Sequence, residues 1–508
     1  MQVSRLIPFI SYKATRFYIV RIVLAFMCAC CETRLFSKIN GMLNSRVAIF
    51  WCAIMAMSPG MWQASIAYLP SSFGMYMVML GISAFMDWRG GLRTNQGINS
   101  FGTGALLGWP FVAALALPFV GEELLLGILS DIDGQIALCW RFIDGIVRAL
   151  LTLAWIIPVD AFFYKRLVIA PWNMIAYNIP ILSGSNSPGP EIFGVEPWTF
   201  YFKNLALNFH VWVPLALLSM PLLLLQHFTN AKGSTKQSYL RGITFLTPFY
   251  LWLAILTLQP HKEERFMYPA YPCLALNAAV ALHILLANLG SRDPRDTIAR
   301  IPVHLRLTAI LTFLLTALLL SVLRIAGTST AYSAPLSIYK PLHTIAPTGD
   351  ATSTLCLGKE WHRFPSHYLL PDNVQAKFIK SAFTGLLPGE FRQANQGFGL
   401  YPGTWLVPPG MNNENREDVG KYTDVRFCDF IVDSRLPSQV ATVLEPDFVG
   451  DAEGWERVEC LPFLDAGSTG LVGRVGWVPE FLQGWVPLGW RRVWGEYCLL
   501  KRRGKGGL

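Results

Sequence analysis

Eight apolar runs impose the strongest constraint on this chain: 17–33, 47–68, 72–88, 146–164, 205–226, 241–259, 267–290 and 305–325. A helix that crosses a bilayer needs about 20 mostly apolar residues. A chain that repeats such runs over its first 325 residues is expected to be a polytopic α-helical membrane protein. Composition agrees, with 53% hydrophobic and only 15% charged residues against about 25% charged in soluble domains. The region 100–140 is apolar but interrupted by Gly108-Trp109-Pro110, which reads as a helix break rather than a ligand site. Two short helices forming a hairpin are expected there, with neighbouring protein satisfying the broken backbone.

The net charge of +9 would suit nucleic acid, but the basic residues are scattered between apolar runs. That is the pattern of cytosolic anchors, so no nucleic-acid partner is expected. Arg34, Lys38, Arg46, Arg89, Arg93, Lys232, Lys236, Arg241, Arg292, Arg295, Arg300 and Arg306 fall in connections of one parity, read as cytosolic. The opposite, lumenal face then receives the turn at Leu69-Pro70, the loops 165–204 and 260–266, and everything after Arg324. Residues 1–325 are expected to form the membrane domain. Residues 326–508, where apolar runs shorten to strand length (Phe427–Val432, Tyr497–Leu500), are expected to form a lumenal α/β domain. Within it, Cys356, Cys428, Cys460 and Cys498 can form disulfides in an oxidising lumen, with the pairing open. Cys28, Cys30 and Cys31 read as packing, and Lys501–Lys505 as a solvated tail. The basic start (Arg5, Lys13, Arg16) fits a lumenal end poorly and lacks the order of a signal peptide.

Residues 261–272 read His-Lys-Glu-Glu-Arg-Phe-Met-Tyr-Pro-Ala-Tyr-Pro, five ionisable side chains in a row between two apolar runs. Charge beside hydrocarbon is expensive and marks function. Lys262 and Arg265 suit a phosphate, His261 a hydrogen bond to a departing phosphate oxygen, and Glu263 or Glu264 sugar hydroxyls. The bland alternative is a self-neutralising interfacial turn. A second constellation comprises Asp160, Tyr164, Lys165, Arg166, Trp172, Asn173 and Tyr177, with Lys165 and Arg166 as the lumenal exceptions to the charge rule. An interfacial aromatic and basic belt is the equal alternative. Glu196 and Trp198 suit carbohydrate, or an ordinary loop. Asn204, Asn208 and His210 read as helix packing. The Cys356–Pro365 and Leu370–Asn373 stretches read as the C-terminal domain's own core and turns. No His/Asp/Glu ligand set stands out, so neither metal nor other cofactor is expected.

The string His261–Pro272 closely resembles the signature of dolichyl-phosphate-mannose-dependent mannosyltransferases. Leu69–Phe73, Leu107–Phe111, Leu167–Pro171, Glu196–Trp198 and Gly358–Trp361 through Asn373 look like their alpha-1,2 branch, and the resemblance covers the chain from about Phe17 onward. It implies a GT-C-like membrane fold in the endoplasmic reticulum. It also implies transfer of mannose, with alpha-1,2 linkage, from dolichyl-phosphate mannose to a dolichol-pyrophosphate-linked oligosaccharide for protein N-glycosylation. His261, Lys262, Glu263, Glu264, Arg265, Lys165 and Arg166 would bind the donor. Tyr164, Asn173, Tyr177, Glu196 and Trp198 would bind the acceptor. Family members carry an Asp-Glu pair after a first helix, the Asp being the presumed base. Here the first carboxylate is Glu32, so the sequence reads as an enzyme body beginning at the family's second span, as a truncated gene model would. No base is assigned, and Asp160 is a remote substitute. A membrane lipid or solute transporter, and an inactive relative that binds lipid-linked glycan, stay open as alternatives.

Overall fold

The computed structural model describes residues 13–87, 93–179, 189–229, 236–290, 300–346, 352–391 and 407–504. Of the basic residues read as cytosolic anchors, Arg89, Lys232, Arg292 and Arg295 lie outside them, as does Arg5. The chain divides into two compact units, Arg21–Val322 and, with the described residues of Met1–Val20, Leu323–Leu508.

The first unit is helical. Its helices are α1 (Lys13–Met42), α2 (Ser45–Met57), α3 (Pro59–Ala64), α4 (Pro70–Met86), α5 (Thr94–Thr103), α6 (Leu117–Ile128), α7 (Ile132–Tyr164), α8 (Ala170–Asn178), α9 (Phe200–Phe209), α10 (Trp212–Thr229), α11 (Lys236–Leu258), α12 (Tyr271–Leu289) and α13 (Val303–Tyr332); α1 and α13 run on into the second unit. Among the described residues six helical stretches are long and apolar enough to cross a membrane, seven if α9 and α10 count as one broken span.

Four expectations change. The run 47–68 is two helices, because Ser58 precedes Pro59 and takes an extended backbone at φ −72°, ψ 130°. The run 205–226 is bent by 107° at His210, whose φ of 31° ends α9. Residues 110–128 form a candidate span of their own, and α7 begins at Ile132, so the region 100–140 is not a pair of short helices. The stretch 165–204 is not all loop, since it contains α8 and the start of α9. The core of this unit centres on α12, where Cys273 through Ala279 are buried without a polar break except Asn277, whose amide donates to Leu246 O at 3.0 Å.

The second unit holds a five-stranded sheet, order β2-β1-β3-β5-β4: β1 (Ser353–Leu357), β2 (Val374–Phe378), β3 (Phe430–Arg435), β4 (Trp455–Leu464) and β5 (Trp494–Arg502). β1 pairs in parallel with both β2 and β3, and β5 runs antiparallel to β3 and β4. β3 is buried over its first five residues, as a strand covered on both faces must be. Two disulfides, Cys356–Cys428 and Cys460–Cys498, join the sheet; the latter bridges directly paired residues of β4 and β5. Lys501 and Arg502 are not tail but the end of β5, where Arg502 donates to Cys428 O at 2.8 Å and lies over the Trp455 ring. Cys28 and Cys31 are buried as expected, whereas Cys30 is exposed.

Candidate active site

Pro260 and Pro269 bracket the charged string, and Pro272 opens α12 in its first turn, where a missing N–H costs nothing. Between α11 and α12 the chain therefore makes a non-helical turn and then a 3-10 helix, Glu264–Ala270. Two segments close on this turn. The loop 189–199 contributes Gly194, at φ 110°, a left-handed conformation that favours glycine; its carbonyl lies 2.9 Å from His261 Nδ1. Glu196 N donates to Pro260 O at 3.0 Å. Helix α9 contributes Tyr201, Asn204 and Asn208 one turn apart on a single face.

Each charge of the string is held, with His261 and Arg265 sharing one partner, Glu263. Lys262, expected to face a phosphate, is turned inward. It is only 6% exposed, and its ammonium donates to the carbonyls of Glu196 (2.9 Å) and Gln259. A buried ammonium without such acceptors would be prohibitive, so Lys262 fastens the loop 189–199 to the turn. Glu263 binds both His261 (Nε2 to Oε1, 3.2 Å) and Arg265 (Nε to Oε2, 2.6 Å), while its carbonyl accepts from Tyr201 Oη at 3.2 Å. Glu264 accepts from Asn204 Nδ2 and Asn208 Nδ2, each at 3.0 Å. The Arg265 side chain is the most exposed of these, at 45%.

Asn204 and Asn208, read as helix packing, are thus the ligands of Glu264. Asn208 reaches it because α3 approaches α9 at Gly60, where a Cβ would stand 2.7 Å from Phe209 and 3.1 Å from Asn208. Trp109 was also missed. A π-helical turn (Gly104–Gly108) and the extended Trp109 form the expected break, and the indole stacks on Phe266 at 5.0 Å and meets Trp252 edge-on at 5.5 Å. Trp252 in turn donates to Phe266 O at 3.0 Å. The break therefore builds an aromatic wall behind the charged turn. For the asparagines the sequence signal was two such residues four apart in an apolar helix; the π-turn, of a kind found at functional sites, is visible only in the structure.

The second constellation is less assembled. α7 ends at Lys165, in the left-handed conformation at φ 55°, and the Lys165 ammonium sits 4.2 Å above the Phe162 ring. Tyr164, Arg166 and Asn173 are exposed. Tyr177 Oη donates to Gly189 O at 2.9 Å, tying α8 to the loop that carries Gly194. Asp160 lines a cavity of about 310 Å³ with Gly108, Pro110, Trp155, Pro171 and Met174; its Oδ2 is shielded and, among the described residues, has no hydrogen-bond partner. The Glu196 side chain is exposed and joins the site by its backbone, and Trp198, 66% exposed, stands edge-on to Phe202.

Comparison with known proteins places this chain. The model of the Alg9-like mannosyltransferase family matches residues 3–371. The alpha-1,2-mannosyltransferase alg9 of Schizosaccharomyces pombe is 37% identical over 491 residues, covering 96% of this chain and 81% of the relative. ALG9 of Homo sapiens is 33% identical over 502 residues (97% and 76%), and ALG9 of Saccharomyces cerevisiae 32% over 501 (96% and 83%). Among solved structures, ArnT from Cupriavidus metallidurans aligns over 71% of each chain at 12% identity with a TM-score of 0.41. The chain is a multi-pass membrane protein, with six or seven candidate spans among the described residues. It belongs to the Alg9-like mannosyltransferase family and is a glycosyltransferase.

Proposed function

We propose that the protein transfers a mannosyl group from dolichyl-phosphate mannose to a hydroxyl of a dolichol-pyrophosphate-linked oligosaccharide, forming an alpha-1,2 bond at the lumenal face of the endoplasmic reticulum membrane. The observation that carries the site assignment is Glu263 holding His261 and Arg265 together at the turn between two apolar helices. In the reaction the acceptor oxygen bonds to the mannosyl C1 as the bond from C1 to the phosphate oxygen breaks. The electron pair stays on dolichyl phosphate, and the hydroxyl proton passes to a base. Negative charge thus grows on the phosphate, where the half-exposed Arg265 guanidinium stabilises the transition state more than the ground state, while His261, with both ring nitrogens against acceptors, holds Glu263 and the loop 189–199 in place. Lys262 acts one step back, by holding the turn.

Lumenal placement of the second unit is supported by its two disulfides, which persist in oxidising compartments. Within that unit Lys13 pairs with Asp372 at 3.1 Å, so the basic start has a counterion on the same side. Membership of a mannosyltransferase family sets the transporter reading aside. Enzyme and inactive glycan-lipid binder separate in one assay: transfer of radiolabelled mannose from dolichyl-phosphate mannose to lipid-linked oligosaccharide by the purified protein. Arg265→Ala is expected to lower kcat/KM by about 10²-fold or more. Wild-type transfer that survives this substitution overturns the assignment of Arg265; no transfer by the wild type overturns the enzymatic reading.

A further inference from the structure

The sheet unit contains a cleft that the reaction chemistry above does not use. β1 leads to β2 on one side and, later in the chain, β3 lies on its other side, so the strand order reverses between β1 and β3. In open sheets with parallel strands, ligands settle outside the carboxyl ends at such a switch point. A cavity of about 540 Å³ opens at that position, within the roughly 300–1,000 Å³ of small-molecule sites. Lys359 follows β1, Gln439 follows β3, and Trp494 begins β5 at the same end of the sheet. Glu445 and Asp447 complete the rim.

We propose that this cleft binds carbohydrate, specifically a neutral hexose branch of an oligosaccharide, with Trp494 as the stacking platform. An anion is disfavoured because both lining cations are already matched: Lys359 pairs with Asp433 at 3.2 Å and Arg435 with Asp447 at 3.2 Å. Glu445 adds further negative charge to the lining, while Glu496 is paired with Arg457 at 3.3 Å. Sugar hydroxyls both donate and accept, which suits a wall of carboxylate, amide and ammonium groups. The half-buried Trp494 indole carries the Arg492 guanidinium over one face, 5.8 Å from the ring centre, and the opposite apolar face is the one assigned to sugar C–H groups. A separate void of about 10 Å³, which shares Lys359 and Glu445 with the cleft and is lined also by Asp433, is large enough for one hydroxyl-sized group. Asp433 is 4% exposed, and its Oδ2 is a buried acceptor with no partner among the described residues. Burial, opposed by the Lys359 ammonium, pushes its carboxyl up to about 7. An acceptor left in this state is costly unless something donates to it, and a ligand hydroxyl does so.

The choice of a mannose branch rests on the proposed function, so the experiment omits transfer altogether. The full chain in nanodiscs is titrated calorimetrically with a lipid-free mannose oligosaccharide, without donor. Wild type and Arg265→Ala are expected to bind alike, whereas Trp494→Ala loses about tenfold or more in affinity and Gln439→Ala, at an exposed position, loses a smaller part. Absence of wild-type binding overturns the cleft, as does unaltered binding by both cleft variants. Displacement by inorganic pyrophosphate but not by mannobiose overturns the ligand class. Should Trp494→Ala melt early, Gln439→Ala decides alone. Failure of transfer in the separate donor assay leaves these outcomes intact.

Discussion

The two ends of α11 handle charge in opposite ways. Near its start, Arg241 donates to Phe85 O at 2.9 Å and lies 3.8 Å from Glu122. Around it Asp87 is held by Lys38 (2.8 Å) and Arg93 (3.0 Å), and Glu123 by Arg141 (2.8 Å) and Thr94. About 25 Å along the helix, beyond Leu258, Glu264 is held by two neutral amides and Lys262 by carbonyls. At the first end every buried carboxylate meets a full positive charge, so the cluster is electrostatically closed and serves as a lock. At the second end Glu264 and Lys262 have their hydrogen bonds met by neutral groups alone, although Glu263 between them is paired with Arg265 and His261. Neutral partners orient an ion and leave its field available to a ligand, which is what a site needs and a lock does not.

The contrast can be broken at either end. The largest effect is expected for Asp87→Ala, which strands Lys38 and Arg93 without a counterion. Breaking a buried pair in this way costs about 3–5 kcal/mol, seen as a lower melting temperature in detergent, with transfer per folded molecule unchanged. A fall in that specific activity would mean that the first end is not merely a lock. Next comes Glu264→Gln, which preserves shape while removing the charge that the asparagines orient. Transfer should fall by about 10²-fold, or about 2.7 kcal/mol, with little change in melting; equal loss of both would reduce Glu264 to a packing element. The smallest effect is expected for Lys262→Met, which keeps the apolar stem and leaves two carbonyls without their donor. Stability should drop by about 1–3 kcal/mol, and transfer per folded molecule should suffer less than in Arg265→Ala. A stable protein with abolished transfer would return Lys262 to the phosphate.

Much of this was legible in the sequence. The charged string stands out because five ionisable residues in a row between apolar runs are costly near hydrocarbon, with a self-neutralising interfacial turn as the bland alternative, and the helix break at Gly108-Trp109-Pro110 follows from proline and glycine chemistry. The run 47–68 looked continuous because hydropathy does not register Ser58-Pro59, where one extended residue ends a helix. The span 110–128 was discounted for the complementary reason: Pro110 at the start of a helix is an opening, not an interruption. Lys262 and Arg265 look equivalent in sequence, three residues apart with the same charge, yet one is buried and the other half exposed.

Composition and patterning determined the membrane character, the separation of a helical part from a strand-bearing part, and the identity of the charged turn, because burial of apolar surface and the cost of charge near hydrocarbon act on residue types wherever they occur. Only the tertiary structure decided which charge faces outward and which partners hold it. Asn204 and Asn208 lie some 60 residues before Glu264, and Trp109 more than 150 before Phe266; no local pattern encodes such meetings. They arise from how α3, α9, α11 and the Gly104–Trp109 break pack against the turn, and it is packing that gives each ion of a conspicuous string its partners.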